Sequence, residues 1–275
     1  MKYGVILTGG PVHEQIELAR AAEAHGWDGV FTWDGIHVGD TIEVHDPWVL
    51  MSAFAMATER VRIGAIIQPL ARRRPWKVAR EAVTLDHVSD GRFVLCVGLG
   101  AVDDSGWGRV GEPTDRRVRA ERLDETLEIL AGLWTGEPFG FAGTHYRFEP
   151  MAFLPAPIQR PRIPVWVVGA WPSERSMARA LRFDGVLPNA LGGGAVTPQL
   201  IAEMRAWLAE RGKGDGFEIV VEGTTPADDP GTASDEVERW ERSGASWWIE
   251  SNWETFDPAD ARRRIEAGPP RGGNR

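Results

Sequence analysis

Apolar and polar positions come in alternating blocks, short apolar runs being followed by longer stretches in which apolar side chains recur every three or four residues. The short runs are Gly4 to Leu7, Gly29 to Trp33, Val61 to Ile67, Arg92 to Val97, Pro164 to Val168, Gly185 to Leu187, Phe217 to Val221 and Ser246 to Ile249. Each predicts a β-strand. The longer stretches predict amphipathic helices, most plainly where Leu123, Leu127, Leu130 and Trp134 share one face while Glu121, Asp124, Glu125 and Glu128 occupy others. Asp46-Pro47, Thr197-Pro198 and Asp257-Pro258 each place a side-chain acceptor at an N-cap and a preset φ at N1, so three helix starts are marked.

A strand followed by a helix, repeated, demands parallel strands joined by crossovers. Eight such units predict an α/β fold of the (β/α)8 TIM-barrel type, one domain over residues 1–267. A doubly wound open sheet is the competing architecture, and the count of eight strands with no linker favours the barrel. One segment breaks the pattern: residues 136–162, rich in Gly, Pro and aromatics, predict a hairpin-like insertion before strand 5. The Gly-, Pro- and Arg-rich stretch 268–275 is expected to be a frayed tail.

Composition narrows the class. The 275 residues suffice for one barrel, and 43% hydrophobic with 26% charged residues is the balance of a soluble globular chain. No apolar run reaches the roughly 18 to 20 residues of a bilayer span, and the first residues run straight into a strand, so a cytoplasmic protein is expected. The lone cysteine, Cys96, lies inside an apolar strand and is expected to be a small buried side chain. A net charge of −9 argues against nucleic-acid binding, which needs a basic surface, so any anionic ligand must meet a local basic patch.

In a barrel the chemistry sits where strands end and βα loops begin. Those positions are Thr8-Gly9-Gly10, Asp34-Gly35-Ile36-His37, Gln68-Pro69-Leu70, Gly98-Leu99-Gly100-Ala101, Gly169-Ala170-Trp171-Pro172-Ser173, Asn189, Glu222 and Glu250-Ser251-Asn252-Trp253. The glycine-bearing run Gly169 to Ser173, leading into a helix, reads as a phosphate-side turn or as an ordinary tight turn. Gly98-x-Gly100 lacks the rest of a dinucleotide fingerprint. Trp33, Trp107, Trp171, Trp248 and Trp253 suggest stacking surfaces for a planar ligand, against the alternative that each packs a loop. Arg72-Arg73-Arg74 is either an anion site or a solvated run pairing with carboxylates. His37 and His45, among Asp34, Asp40, Glu43 and Asp46, allow a rival reading: a metal-dependent barrel hydrolase or isomerase. No serine sits in a nucleophile-elbow sequence.

Longer motifs resemble a known family. Asp46-Pro47-Trp48 through Ala57-Thr58-Glu59-Arg60-Val61-Arg62-Ile63-Gly64, Ala82-Val83-Thr84-Leu85-Asp86-His87-Val88-Ser89-Asp90-Gly91-Arg92-Phe93, and Val97-Gly98-Leu99-Gly100 are similar to the bacterial luciferase-like monooxygenases. So are Arg119-Ala120-Glu121-Arg122-Leu123-Asp124-Glu125, Leu133-Trp134-Thr135-Gly136-Glu137-Pro138, Gln159-Arg160-Pro161, Pro164-Val165-Trp166 and Asp184-Gly185. The resemblance spans nearly the whole chain. It implies a barrel that binds reduced FMN or the 8-hydroxy-5-deazaflavin coenzyme F420, and two chemistries: a flavin reacting with oxygen as a monooxygenase, or hydride transfer by the deazaflavin. It also implies that Gly169, Ala170 and Trp171 form the phosphate-side turn, that Gln68, Gly98 and Gly100 line the ring, and that Asp34 stands at the second strand end. Asn189 joins this cofactor set as a strand-end amide. Many relatives carry a histidine directly after that aspartate; here the position is Gly35, and His37, two residues on, is the catalytic candidate beside Asp34. The basic cluster and the absence of a long lid-like insertion lean the reading toward the deazaflavin. The expected partners are a small organic substrate, a separate flavin or deazaflavin reductase and a second copy of the chain in a homodimer. A non-catalytic flavin-binding protein is the third reading.

Overall fold

A computed structural model describes residues 1–102 and 104–271; residues 272–275 of the expected tail lie outside the described residues. Eight parallel strands form one sheet: β1 (Lys2–Ile6), β2 (Gly29–Thr32), β3 (Arg62–Ala65), β4 (Leu95–Val97), β7 (Val165–Trp171), β8 (Gly185–Ala190), β9 (Glu218–Gly223) and β10 (Trp247–Glu250). Their order is β3-β2-β1-β10-β9-β8-β7-β4. Among the described residues the ring closes between β3 and β4 through two isolated parallel bridges, Ile63 to Phe93 and Gln68 to Val97. Helices α1 (Val12–Ala24), α2 (Pro47–Ala57), α3 (Pro75–Val88), α4 (Arg116–Leu133), α5 (Glu174–Ala180), α6 (Pro198–Glu210), α7 (Pro230–Ser243) and α8 (Pro258–Glu266) alternate with them. This is the (β/α)8 barrel that the block pattern predicts.

The marked helix starts form as expected: the side chains of Asp46, Thr197 and Asp257 each accept a first-turn backbone N–H, with proline next in the chain. The insertion is a hairpin, β5 (Phe139–Ala142) against β6 (Arg147–Met151). Two helix carboxylates dock it. Glu125 of α4 accepts the backbone N–H groups of Thr144, His145 and Tyr146, and buried Asp86 of α3 accepts those of Ile158 and Gln159. At the other end, the Arg271 side chain of the supposed frayed tail donates to the Gly26 carbonyl at 2.8 Å.

Period-two alternation divides the strand side chains between two cores. Those pointing outward join the helices in the larger one. Those pointing inward fill the barrel: Ile6, Phe31, Ile66, Val94, Cys96, Trp166, Leu187, Val220, Trp247 and Ile249. Phe31, Trp166 and Trp247 interlock at its centre, with Trp166 and Trp247 centroids 5.3 Å apart. Glycines make room for them: a Cβ on Gly4 would lie 2.7 Å from the Phe31 ring, and one on Gly185 2.6 Å from Trp166. Cys96 is fully buried here, and burial holds its thiol pKa well above the ordinary value. Among the described residues no helix is long and apolar enough to cross a membrane.

Candidate active site

The plug of large rings ends below the C-terminal rim of the strands, leaving an open mouth above it. Two cavities occupy that mouth. One, of 460 Å3, is lined by Trp33, Ile66, Ile67, Pro69 and Trp253 among others; the second, of 370 Å3, is lined by Gly98, Leu99, Arg116, Arg119, Ala170, Ser176 and Asn189. Both include Ile67, Gly100 and Ala101, so they are two ends of one cleft. Its size falls in the range of small-molecule sites, roughly 300–1,000 Å3. One end is largely apolar and aromatic, with the carboxylates Asp34 and Asp104 also in its lining, and the other carries arginines.

The cationic end rests on α4. Asp115 caps this helix by accepting the Val118 N–H, which places Arg116 and Arg119 in its first turns beside the β4 loop. Arg119 is buried, and its Nη1 donates to the carbonyls of Leu99 and Gly100, both at 2.8 Å, while its Nε has no partner. Burial, followed by the charge of nearby Arg116, lowers its pKa from a very high starting value, so it remains cationic. Arg179 of α5 also lines this end but is neutralised by a bidentate pair with Asp124. The glycines of the rim are close approaches. A Cβ at Gly98 would lie 2.8 Å from Val168, and Gly100 has φ +76° with Pro69 2.7 Å from a Cβ position.

Sequence-predicted residues divide on this geometry. Gly98, Gly100, Ala170 and Asn189 come together in the cleft, Ala170 and Asn189 as paired residues of β7 and β8. Gly169 and Trp171 do not join them. Strand β7 runs on to Trp171, so these two alternate outward: a Cβ on Gly169 would meet Met177 of α5 at 2.8 Å, and Trp171 packs edge-on against Trp207 of α6. The turn expected at 169–171 is therefore strand, and the chain turns at Pro172-Ser173. Gln68 is fully buried, with both side-chain amide atoms lacking a partner. Of the five tryptophans named from sequence, Trp33 and Trp253 line the cleft, 6.1 Å apart and edge-to-face. Trp107 is buried between Arg72 and Arg119, and Trp248 packs outward on Trp240.

Asp34 is 1% exposed at its side chain, and its two carboxylate oxygens are engaged by Arg72 at 3.0 Å and by Arg73 at 3.0 and 3.2 Å. Arg72 reaches on to Asp104, whose Oδ1 accepts the N–H groups of Gly106 and His37. Burial pushes the Asp104 carboxyl up, but the Arg72 guanidinium and these N–H donors outweigh it and hold the pKa below the usual range. Arg72 and Arg73 thus turn inward as a clamp between three loops, while Arg74 is exposed. His37 bonds Asp40 through Nε2 at 3.1 Å and is not among the cleft-lining residues. The rival metal site does not assemble: among the described residues no three His, Cys, Asp or Glu side chains are grouped to hold an ion. Asp34 faces arginines and Asp46 caps α2.

The residues that sequence reasoning passed over are Ile66, Ile67, Arg116 and Ser176. In the sequence Arg119 stands out only within a family motif and nothing marks Arg116; the position of their helix at the rim turns them toward the cleft.

Comparison with known proteins agrees with this architecture. An F420-dependent glucose-6-phosphate dehydrogenase of Nocardia farcinica is 26% identical over 262 residues, covering 93% of this chain and 77% of the relative. Among solved structures, an F420-dependent secondary alcohol dehydrogenase in complex with an F420–acetone adduct superposes with a TM-score of 0.80 at 18% identity, covering 98% of each chain. The oxygenating constituent of 3,6-diketocamphane monooxygenase of Pseudomonas putida, in complex with FMN, does so at 0.73 and 15%, covering 97% of this chain and 96% of that one. The sequence profile of the luciferase-like monooxygenases matches residues 3–274. Barrel, cleft and profile together place the chain in the luciferase-like monooxygenase family.

Proposed function

We propose that the protein is an oxidoreductase that binds a deazaflavin coenzyme across the barrel mouth and exchanges a hydride with a small organic alcohol or carbonyl. The observation that carries this is the polarity of the cleft, cationic at Arg116 and Arg119 and apolar at Trp33, Ile66, Ile67 and Trp253. A phosphorylated tail and a flat ring need two such environments side by side. The residues present fit the group: Arg119 Nε has no partner within the protein, and glycines at 98 and 100 keep the rim low between the two ends. Arg116, Arg119 and Ser176 would hold the phosphate; Gly98, Gly100, Ala170 and Asn189 would border the ring and its linker. The bound coenzyme supplies the carbon that accepts or gives the hydride. The protein's part is to orient the ring, exclude water and move the accompanying proton. Asp34 on this reading positions the β2 loop through Arg72 and Arg73, and the 26% identical relatives named as F420-dependent support the deazaflavin.

Titration of the apoprotein with the deazaflavin, FMN and riboflavin tests the reading. Saturable deazaflavin binding is the expected result. Tight FMN binding without deazaflavin binding reassigns the chain to the flavin and oxygen chemistry that the FMN-bound structural neighbour supports.

A further inference from the structure

Among the described residues no histidine lines either end of the cleft. Gly35 stands directly after Asp34, and His37 is turned to Asp40. Hydride transfer to or from an alcohol carbon still needs a group to take or return the hydroxyl proton. Strand alternation points to one. On β9, Val220 belongs to the barrel interior and Val221 to the outer core, so Glu222, opposite Ile249 of β10, follows the inward alternation at the rim of the mouth, where it is exposed and borders the cleft through Trp253 without lining it. Its Oε2 accepts the indole N–H of Trp253, a cleft-lining residue, at 3.4 Å, and the Ser251 hydroxyl is its other partner.

The surroundings suit a carboxyl that changes protonation. Among the described residues no cation pairs with Glu222, in contrast to Asp34. Its partner on β10 is Ile249, and Ser251 and Trp253 reach it from the loop that follows that strand. The titratable group that senses it from β4 is the buried Cys96 thiol, and Arg62, which also acts on Cys96, lies four residues earlier than Ile66 at the base of the barrel. Although Glu222 is exposed at the rim, desolvation by the packed protein around its carboxyl raises the pKa more than the Trp253 and Ser251 donors lower it.

We propose that Glu222 is the catalytic proton-exchanging group, lying against the coenzyme ring and the substrate oxygen. This rests on the coenzyme reading above. In the oxidative direction the substrate C–H bond breaks and its hydride reduces the coenzyme by two electrons. The O–H bond breaks, its proton passes to the Glu222 carboxylate, and the carbonyl π bond forms; the reductive direction returns both.

The ring, in covering the mouth, removes water from Glu222 and raises its proton affinity further. Calorimetric titration of the full chain with oxidised deazaflavin coenzyme, in two buffers of different ionisation enthalpy, should show a fraction of a proton taken up per coenzyme bound. In Glu222→Gln the uptake should vanish while affinity changes by less than about threefold, under roughly 0.7 kcal/mol. Carboxyl NMR of 13C-glutamate-labelled apoprotein, assigned by the same variant, should show the Glu222 signal titrating above the ordinary glutamate value. Coenzyme binding without proton uptake, or with uptake retained in Glu222→Gln, overturns the assignment and leaves the coenzyme reading intact. Failure of the wild type to bind coenzyme overturns that reading and this assignment with it.

Discussion

Replacing Asp34 with asparagine separates a positioning role from a chemical one. The change keeps the shape and removes one negative charge from a network whose inner members, Asp34 and Arg72, are 1% and 2% exposed at their side chains. Breaking a buried pair from one side typically costs about 3–5 kcal/mol, because the remaining charge is left uncompensated. Here the cost falls near the lower bound, since Arg72 keeps Asp104 and Arg73 is 23% exposed at its side chain and can turn to water. About 3 kcal/mol, at roughly 2–4 °C per kcal/mol for a domain of this size, lowers Tm by about 6–12 °C. A urea titration should show a lower midpoint at unchanged slope. Coenzyme affinity should fall less than tenfold, about 1.4 kcal/mol, at temperatures where the variant is folded. A stability loss below about 1 kcal/mol, combined with coenzyme affinity or turnover lost by more than a hundredfold, would refute the clamp and return Asp34 to the chemistry.

Other expectations follow from the same geometry. Arg119→Met should weaken FMN or deazaflavin binding by tenfold or more, roughly 1.5–3 kcal/mol for a charge-assisted contact, and leave riboflavin, which has no phosphate, nearly unaffected. Arg116→Ala, at an exposed position, should cost about 0.2–1 kcal/mol of the same affinity and lose its effect in high salt. Glu222 has a raised folded-state pKa, so its proton stabilises the fold fully below the unfolded value near 4.3, and that stabilisation is lost as pH rises through the folded pKa. Glu222→Gln should therefore melt higher than wild type at pH 7 and equal to it near pH 4. Asp104 has the opposite sign: its depressed pKa contributes stability present above about 3.9 and lost as pH falls through the folded value, so Asp104→Asn should flatten the acid limb of a Tm–pH curve. Gly98→Ala places a methyl 2.8 Å from Val168 and 3.1 Å from Ile67 between the two ends of the cleft, and should impair coenzyme binding by more than it lowers Tm.

The barrel was legible because its signals are local and repeated. Eight apolar runs, three capped Pro starts and one Gly/Pro-rich break each depend on a few adjacent residues, and all appear where the pattern puts them. The rim was harder. Whether Gly169 and Trp171 face a ligand or a helix depends on one further residue of pairing between β7 and β8, since each step along a strand reverses the face. Trp33 and Trp107 are equally plausible stacking residues in one dimension. Only the fold sends one to the cleft and the other between two arginines. Glu222 was visible as a strand-end residue, but its worth lies in having no cation paired with it among the described residues, which no stretch of sequence states. The arginine run 72–74 left two readings open for the reciprocal reason: the carboxylates that Arg72 and Arg73 pair with, Asp34 and Asp104, lie more than thirty residues away in both directions.

The two-bridge junction between β3 and β4 has a mechanical meaning. Every other pair of neighbouring barrel strands shares a named ladder, whereas here the ring is fastened by single stitches at Ile63 and Gln68. The upper stitch lies beside Ile67 and Gly98, residues from opposite sides of the junction that both line the cleft. A molecule lying across them splints the cylinder at its weakest join. Occupancy of the mouth and circumferential rigidity then become one quantity, readable as slower deuterium uptake at residues 63–68 and 93–98 when the cleft is filled.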